Sequence, residues 1–408
     1  MKKLILTTMA LAALASCQKE SLVDSAITQS GDAIRYSAYS QLTSTKGAPV
    51  DSNSEFQDDA NGFYVAAYKT DDSATQYLGF ETVTYKGTAG AWGYSSSNTY
   101  YWPSESILTF AAFYPTSAYS ASAPAYSSAG YKFGHTPSAT TTEHVDVMFA
   151  FNKEVAKCSA VPLHFKHALT QINFQAAVDE SMGIAVTLKS IEICNVRPTG
   201  AFTIEDNDKL ATAESGGTVA SANVELTAGT WVASGTHTDY TAYPNSTNVF
   251  SGSMTLTADY VAFSDTENPL MLIPQALTAW TPTNLTADAD SFTDCYLKIG
   301  CTITHSGDNS SIVIVDGYVY IPFDSKDENG TNEIWKAGNK LTYKLLFGGG
   351  YPYEPGTTPD DDEGDQDPDV DESIPTLLPI TYTVTVDEWK DVTDNTIEIE
   401  DDEYTTEG

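Results

Sequence analysis

The sequence predicts an all-β protein built from two tandem antiparallel β-sandwich domains. Its 24 Tyr and 16 Phe residues favour strands, because aromatic side chains fit a pleated surface. After the N-terminal segment the apolar residues keep a period of two, and no helical period is sustained. At 408 residues the chain is also too long for one hydrophobic core, so two domains are expected.

Residues 1–16 have the plan of a secretory signal peptide. Two lysines precede an apolar run that is too short to cross a bilayer as a helix, which takes roughly 20 residues. The run Leu14-Ala15-Ser16-Cys17 is the pattern cut by the bacterial lipoprotein signal peptidase. It predicts acyl chains on Cys17, stable anchoring in the outer membrane and a polar tether over residues 17–32. A short charged run after the cysteine resembles the signal for the outer face of that membrane.

The first domain is predicted over residues 33–160. Its opening strand carries Ile34, Tyr36 and Ala38 at alternate positions, which places them on one face. Its other strands are predicted at residues 63–68, 82–86, 107–114 and 146–150, with a loop at 116–128.

The second domain is predicted over residues 161–408. Its first stretch, residues 161–175, continues the alternation and forms the joint between the two domains. A Thr/Ser-rich insertion is expected at residues 212–260. The other strands are predicted at residues 184–196, 202–204, 270–275, 296–304, 318–323 and 340–347.

The C-terminal region combines an acidic linker, residues 354–374, with terminal strands at residues 377–400. The linker is expected to be a solvated spacer, because its charges repel one another and it has little apolar surface to bury. The cleanest alternation in the chain follows it, at Ile380, Tyr382, Val384 and Val386. A last short strand is predicted around Ile397 and Ile399.

Net charge and cysteine content restrict the partners and the redox chemistry. A net charge of −35 argues against nucleic acid, whose phosphates would be repelled, and suits a soluble extracellular protein.

Cys295 and Cys301 are six residues apart, hence on one face of a strand and too distant to form a disulfide with each other. Although disulfides are possible outside the cytoplasm, most of the four cysteines after Cys17 are expected to be buried free thiols: Cys158, Cys194, Cys295 and Cys301.

No pattern in the sequence indicates catalysis, a cofactor or a metal ion. The 55 acidic residues make carboxylate pairs inevitable and therefore uninformative. The acidic run at residues 360–372 lacks the ligand order of an EF-hand. His164 and His167 are three apart and face opposite sides of a strand, while His135 and His144 have no partner at ligand spacing. The chain is therefore predicted not to be an enzyme.

Several short motifs, in a fixed order behind the lipoprotein signal, resemble the fimbrillin family, the subunits of type V pili of Bacteroidia. The motifs are Tyr101-Trp102-Pro103, the run from Leu108 to Pro115, Asp146-Val147-Met148, the run from Phe165 to Leu169, Leu272-Ile273-Pro274-Gln275, the run from Gly338 to Tyr343, and Val386-Asp387-Glu388-Trp389.

The resemblance implies two transthyretin-like sandwich domains and assembly by strand exchange between pilus subunits. A trypsin-like protease would cut after the first strand, and a C-terminal strand of the next subunit would fill the vacated groove by β-augmentation. The departing strand would carry Ile34, Tyr36 and Ala38. The inserting strand would be residues 380–386 or, alternatively, residues 396–399.

The processing site departs from the family pattern, which has an arginine in the loop after the first strand. This loop offers Lys46 instead. Arg35 is the weaker candidate, because it lies inside the predicted first strand and a cut there would remove little of it. The departure leaves three possibilities, which are cleavage at Lys46, a different protease and an uncut anchor subunit.

An alternative function is a monomeric surface lipoprotein that binds glycans or host ligands. Trp231, Trp280 and the tyrosines of residues 118–131 would then stack on sugars. A polymerising subunit needs a removable first strand and a detachable last strand, whereas a binding protein needs neither.

Overall fold

A computed structural model describes residues 33–40, 62–69, 72–86, 92–104, 108–119, 124–127, 130–155, 157, 160–204, 229–244, 253–263, 269–280, 294–306, 311–327, 329–348 and 381–388. These residues form an all-β protein with three short 3-10 helices, Thr116–Tyr119, Thr141–Glu143 and Glu180–Met182. Within these ranges, no helix is long and apolar enough to span a membrane.

The first ten strands run from the N-terminus through the joint between the two halves. They are β1 (Tyr36–Ser40), β2 (Phe63–Lys69), β3 (Asp72–Tyr85), β4 (Trp92–Tyr94), β5 (Leu108–Tyr114), β6 (Ala125–Ser127), β7 (Gly130–His135), β8 (Met148–Val155), β9 (Val161–His167) and β10 (Thr170–Val178).

Eleven further strands complete the described part of the chain. They are β11 (Ile184–Val196), β12 (Thr199–Ile204), β13 (Gly229–Ser234), β14 (Thr238–Tyr243), β15 (Met254–Thr255), β16 (Val261–Ala262), β17 (Leu270–Leu272), β18 (Tyr296–Ser306), β19 (Ser311–Pro322), β20 (Asn339–Phe347) and β21 (Thr381–Glu388).

Seven strands of the first half form a closed barrel in the order β1-β4-β3-β2-β5-β8-β9. Strand β1 closes it, lying parallel to β9 over five residue pairs and meeting β4 at one antiparallel pair. Strand β5 is apolar at nearly every position and buried on both faces. Leu108 and Phe110 point into the barrel core, whereas Ala111 and Phe113 belong to a second core outside it.

This second core lies between the barrel and a four-stranded sheet of order β13-β12-β7-β6. Phe133 of β7 and Phe202 of β12 are paired in that sheet, with ring centroids 4.9 Å apart. Gly200 of β12 leaves room for the Trp231 ring, since a Cβ there would come within 2.6 Å of that ring. The sheet therefore combines strands from both halves of the chain.

The second half is a two-layer sandwich. One sheet has the order β16-β10-β20-β21, with β17 also on β10, and the other has the order β14-β11-β18-β19, with β15 also on β11. Their inner faces share the largest hydrophobic core, which includes Phe174, Ile299 and Tyr343. Phe174 and Tyr343 stack with ring centroids 5.6 Å apart on the parallel pair β10–β20.

The all-β prediction is confirmed, but two details of the predicted architecture are wrong. The first half is a closed barrel, and the pairs β1–β9 and β10–β20 are parallel, so the sheets are not purely antiparallel. Strand β9 lies in the barrel, whereas the predicted domain boundary assigned residues 161–167 to the second domain. Within the Thr/Ser-rich insertion expected at residues 212–260, the described residues include strands β13, β14 and β15.

Candidate functional site

Strand β1 and the residues just before it present an apolar face to the barrel core. Ile34, Tyr36 and Ala38 are 3%, 3% and 7% exposed, whereas Arg35 and Ser37 between them are exposed. The sequence therefore predicted this face correctly from its period of two. All three inward side chains join the barrel core.

Backbone hydrogen bonds hold β1 on both sides. Ile34 donates to the carbonyl of Tyr100 at 2.8 Å, and the carbonyl of Arg35 accepts from Val161 at 2.7 Å. The indole of Trp92 adds a buried bond, in which Nε1 donates to the carbonyl of Ala38 at 3.2 Å. The strand thus closes the gap between β4 and β9 with main-chain and side-chain contacts.

Tyr36 lies at the centre of this interface. Its ring makes edge-to-face contacts with Phe63, Tyr94 and Phe110, at centroid distances of 6.4, 5.6 and 6.2 Å. Its hydroxyl lies 2.8 Å from the hydroxyl of Tyr94. Burial, followed by the nearby Tyr94, raises the pKa of Tyr36 well above its ordinary value, so the phenol stays neutral.

A polar edge borders the Tyr36 pocket. The rings of Tyr94 and Tyr100 are 5.2 Å apart, and the Tyr100 hydroxyl donates to the carboxylate of Glu81. That bond, with burial as the second cause, raises the pKa of Tyr100. Sequence reasoning missed these residues, although the aromatic alternation of Trp92 and Tyr94 was a signal for the short strand β4.

Of the two candidate cleavage sites, Arg35 lies within the described residues and Lys46 does not. Arg35 is exposed, but its carbonyl is bonded within the sheet and its neighbours Ile34 and Tyr36 are buried, so its peptide bonds are poorly accessible to a protease. Lys46 lies outside the described residues, as does the predicted lipidation site Cys17.

Strand β21, the first candidate for an inserting strand, pairs antiparallel with β20 at the edge of its own sandwich. Val384 is 6% exposed in the sandwich core, and the ring of Tyr382 lies 5.8 Å from Phe323 and 6.0 Å from Tyr343. Val386 is 43% exposed, which corrects the prediction that it shares the buried face. It lies toward the end of the edge strand, beyond the core that covers Val384. Ile380, Ile397 and Ile399 lie outside the described residues.

Three cysteines are free and buried, as predicted for most of the set: Cys194, Cys295 and Cys301. Burial raises the pKa of each thiol, and that of Cys301 reaches about 12. Cys158 lies outside the described residues. In the part of the chain that the structure describes, no group of three or more His, Cys, Asp or Glu side chains could hold a metal ion.

The histidines of the first half take part in structural contacts. His144 accepts a hydrogen bond at Nδ1 from the Met271 backbone at 3.0 Å, and its Nε2 donates to the Ser138 carbonyl at 2.8 Å. His167 is paired with Asp146, with 2.9 Å between Nδ1 and Oδ2.

A polar cavity of about 220 Å³ lies at the end of β11. Its wall residue Gln275 exchanges hydrogen bonds with the backbone of Arg197, and the amide of Asn195 donates to the carbonyl of Asp294. Because these groups bond one another, the cavity wall joins β11 to its neighbours and offers few convergent donors to a ligand.

The aromatic residues suggested for glycan stacking are poorly placed for that role. Trp280, Tyr119 and Tyr131 are at most 2% exposed. Trp231 is half-buried, and its indole donates to the carbonyl of Ala168 at 2.6 Å. These positions correct the expectation that the four side chains are exposed on the surface.

Comparison with known proteins agrees with the architecture. Residues 48–359 match the model of the family described as fimbrillin-like. No curated protein has a sequence that matches this chain. A fimbrial protein from Bacteroides vulgatus is 16% identical with a TM-score of 0.55, over 88% of this chain and 99% of its own. The fimbrilin FimA from Porphyromonas gingivalis is 9% identical with a TM-score of 0.42, over 90% and 99%.

The first of these likenesses supports the fold, and the second is too distant to add to it. The family match covers most of the sequence and leaves β1 and β21 on either side of the matched range. This chain therefore belongs to the fimbrillin-like family.

Proposed function

We propose that this chain is a structural subunit of a surface fimbria that serves adhesion, and that it joins its neighbours by exchange of β1. The observation that carries the proposal is the position of β1 in the barrel. Five residues close the gap between β4 and β9 and contribute an apolar face to the core. Removal of this strand would leave a groove with an apolar floor and unpaired main-chain groups on β9, which is a template for another strand.

As long as β1 is attached to the chain, its docking in this groove is intramolecular and does not cost the entropy of association. Its inward side chains contribute a few kcal/mol of burial, roughly 1.5–3 for a large apolar side chain. A free peptide of this size would have to offset about 4–15 kcal/mol of lost translational and rotational freedom. Once cut, β1 becomes a dissociable ligand, and a strand attached to a neighbouring subunit can replace it.

The cut is assigned to Lys46 and to a trypsin-like protease. Lys46 follows the end of β1 by six residues, so cleavage there would release the whole strand. Cleavage at Arg35 would leave Tyr36 and Ala38 attached to the subunit and the groove filled. A subunit that is never cut would keep β1 and could serve as an anchor.

Export and localisation form the remaining part of the proposal. The lipoprotein pattern ending at Cys17 would anchor the precursor in the outer membrane at the cell surface. The inserting strand would come from the C-terminal region, either β21 or residues 396–399. The glycan-binding alternative is not favoured, because Trp280, Tyr119 and Tyr131 are buried and Trp231 is half-buried.

An engineered disulfide that ties β1 to β9 and can be reduced tests the proposal. Ser37 and Pro162 are paired in the parallel ladder between β1 and β9, within reach of an engineered disulfide. The double variant Ser37→Cys/Pro162→Cys, cut at residue 46, should polymerise when reduced and stay monomeric when oxidised. Ser37→Cys alone is the matched control and should polymerise in both states. If the oxidised double variant polymerised like the reduced one, release of β1 would not be the trigger.

A further inference from the structure

The turn at residues 138–144, between β7 and β8, is bonded to the second half of the chain through His144. This residue directly follows the 3-10 helix Thr141–Glu143 and is 8% exposed. Its Nδ1 accepts a hydrogen bond of 3.0 Å from the backbone amide of Met271 on β17. Its Nε2 donates to the carbonyl of Ser138 in the same turn, at 2.8 Å. One imidazole therefore joins the 138–144 turn to a strand of the sandwich.

Strand β17 lies between two hydrophobic cores. Leu270 and Leu272 belong to the core of the sandwich, whereas Met271 belongs to the second core, between the barrel and the four-stranded sheet. The strand pairs antiparallel with β10 over three residue pairs. A change in the bond between His144 and Met271 therefore acts where the two halves of the chain meet.

The two partners of His144 allow only the neutral ring. A backbone amide can only donate, so Nδ1 must be without a proton, and a carbonyl can only accept, so Nε2 must carry one. Protonation of Nδ1 would set two N–H groups against each other and place a charge in a buried site. Burial lowers the pKa of His144, although the hydrogen bond to the Ser138 carbonyl acts in the opposite direction.

Among the described residues, no group that contacts the His144 ring would compensate a positive charge there. His135, at the end of β7, would repel the charge when both rings are protonated. The Tyr240 ring of β14 meets the imidazole edge to face, with ring centroids 6.3 Å apart, and burial raises its pKa to about 12, so it stays neutral. The carboxylate of Glu143 accepts a bond from a serine of the turn, and that of Asp146 is paired with an imidazole of β9.

We propose that this contact is an acid-sensitive connection between the two halves of the chain. Protonation of His144 breaks its bond to Met271 and opens the contact between the 138–144 turn and β17, while the barrel and the sandwich stay folded. Histidine suits such a role, because a modest change of pH alters its charge and its hydrogen bonding together. The inference is independent of the proposed strand exchange and gives the subunit a response to acid surroundings.

His167 on β9 shows why the partner of the ring matters. Its Nδ1 lies 2.9 Å from Oδ2 of Asp146, and a carboxylate accepts equally from a neutral and from a protonated imidazole. Protonation would therefore keep the contact at His167 but break the contact at His144. Of these two buried histidines, only His144 couples its protonation to the bond with β17.

The contact should open as the pH falls. The closed contact needs a neutral His144, whereas the imidazole of the opened contact takes up a proton near the ordinary pKa of about 6.5. The equilibrium constant for opening should therefore rise up to about 10-fold for each unit of pH below 6.5, until the closed form is itself protonated.

Hydrogen exchange of the full-length protein between pH 7.5 and 4.5, resolved to single amides, tests the inference. After correction for the chemical exchange rate at each pH, the Met271 amide should lose protection in acid while the amides of β5 keep theirs. His144→Gln retains a side-chain acceptor that cannot be protonated, so opening at Met271 should no longer depend on pH, whatever its value at pH 7. His305→Gln, the same substitution at a half-buried position on β18, is the matched control and should keep the dependence of the parent.

Three results would overturn the inference. Constant protection of Met271 down to pH 4.5 would show that the contact does not open. An equal loss of protection in β5 would show that the whole protein unfolds instead. A pH dependence that persists in His144→Gln but disappears in His135→Phe would place the trigger at His135. Retention of the dependence in His135→Phe, together with its loss in His144→Gln, supports the assignment to His144.

Discussion

His167 and Asp146 form a buried pair where the barrel passes into the sandwich. Nδ1 of His167 donates to the carboxylate, 3.0 Å from Oδ1 and 2.9 Å from Oδ2, and the two side chains are 3% and 2% exposed. His167 ends β9, and the next residue, Ala168, donates to the carbonyl of Val147 at 2.8 Å. These contacts fix the direction in which the chain leaves the barrel.

Loss of one partner of this pair should strongly destabilise the protein. His167→Ala would leave the Asp146 carboxylate buried without its imidazole donor, which should lower the free energy of unfolding by about 3–5 kcal/mol. Asp146→Asn keeps an oxygen acceptor and should cost less, about 1–2 kcal/mol. Urea denaturation measures both, with the exposed Asp259→Asn as a control that should stay within about 0.5 kcal/mol. Equal, negligible effects of both variants would show that the pair is not important for stability.

Stability should fall between neutral pH and pH 4, partly because of His135. Nε2 of His135 is buried without a hydrogen-bond partner. Burial, followed by the nearby His144, lowers the pKa of His135 to about 4. In the unfolded chain His135 takes up a proton near pH 6.5, whereas in the folded chain it does so only near pH 4. The contribution of neutral His135 to the free energy of unfolding is therefore complete above pH 6.5 and is lost as the pH falls toward 4. His144, whose pKa burial also lowers, acts in the same direction.

Thermal melts at pH 7.0 and 4.5 measure this dependence. His135→Phe should reduce the difference between the two melting temperatures, since the aromatic replacement cannot be protonated. His305→Gln, at a half-buried position on β18, is the matched control and should melt like the parent at both pH values. An unchanged pH dependence in His135→Phe would show that other groups are responsible.

The three buried thiols should resist alkylation in the folded state. The thiolate is the reactive form, and burial raises the pKa of Cys194, Cys295 and Cys301. Iodoacetamide at pH 8 should therefore leave all three unmodified until denaturant is added, as peptide mass mapping can show. Rapid labelling of any one of them in the native protein would contradict its buried position.

Local patterns predicted the strands well and the pairing between distant strands poorly. Strand β11 has the predicted bounds although a bulge near Leu188 interrupts its alternation, and the apolar face of β1 is correct because it depends on a period of two within one segment. The parallel pairing of β1 with β9 joins residues far apart in the sequence, so neither segment shows it alone. The fold class and the strand that closes the barrel could be read from the sequence, but the barrel itself could not.

The candidate site shows the same limit. Tyr36 was identified from its alternation with Ile34 and Ala38, whereas its partner Tyr94 lies on a strand of three residues that carries too little periodicity to be recognised. Val386 continues the alternation of Tyr382 and Val384, yet it is exposed. Periodicity gives the face of a side chain, but the core of the neighbouring sheet decides how far along the strand that face is covered.

The docking of β21 on its own sandwich can be tested with two charge substitutions on one face of the strand. Val384→Asp would place a carboxylate in the hydrophobic core opposite Tyr343 and should cost about 3 kcal/mol or more. Val386→Asp makes the same change two residues along, at a side chain that is 43% exposed, and should stay within about 0.5 kcal/mol. Thr383→Asp, on the exposed outer face, should be tolerated equally well. Hydrogen exchange is the direct measurement, because Val384→Asp should release the amides of β21 and those β20 amides that bond to β21, while the amides of the barrel stay protected. If Val384→Asp left the exchange of both strands unchanged, or if Val386→Asp released them as much, then Val384 would not be the side chain that holds β21 in its own domain.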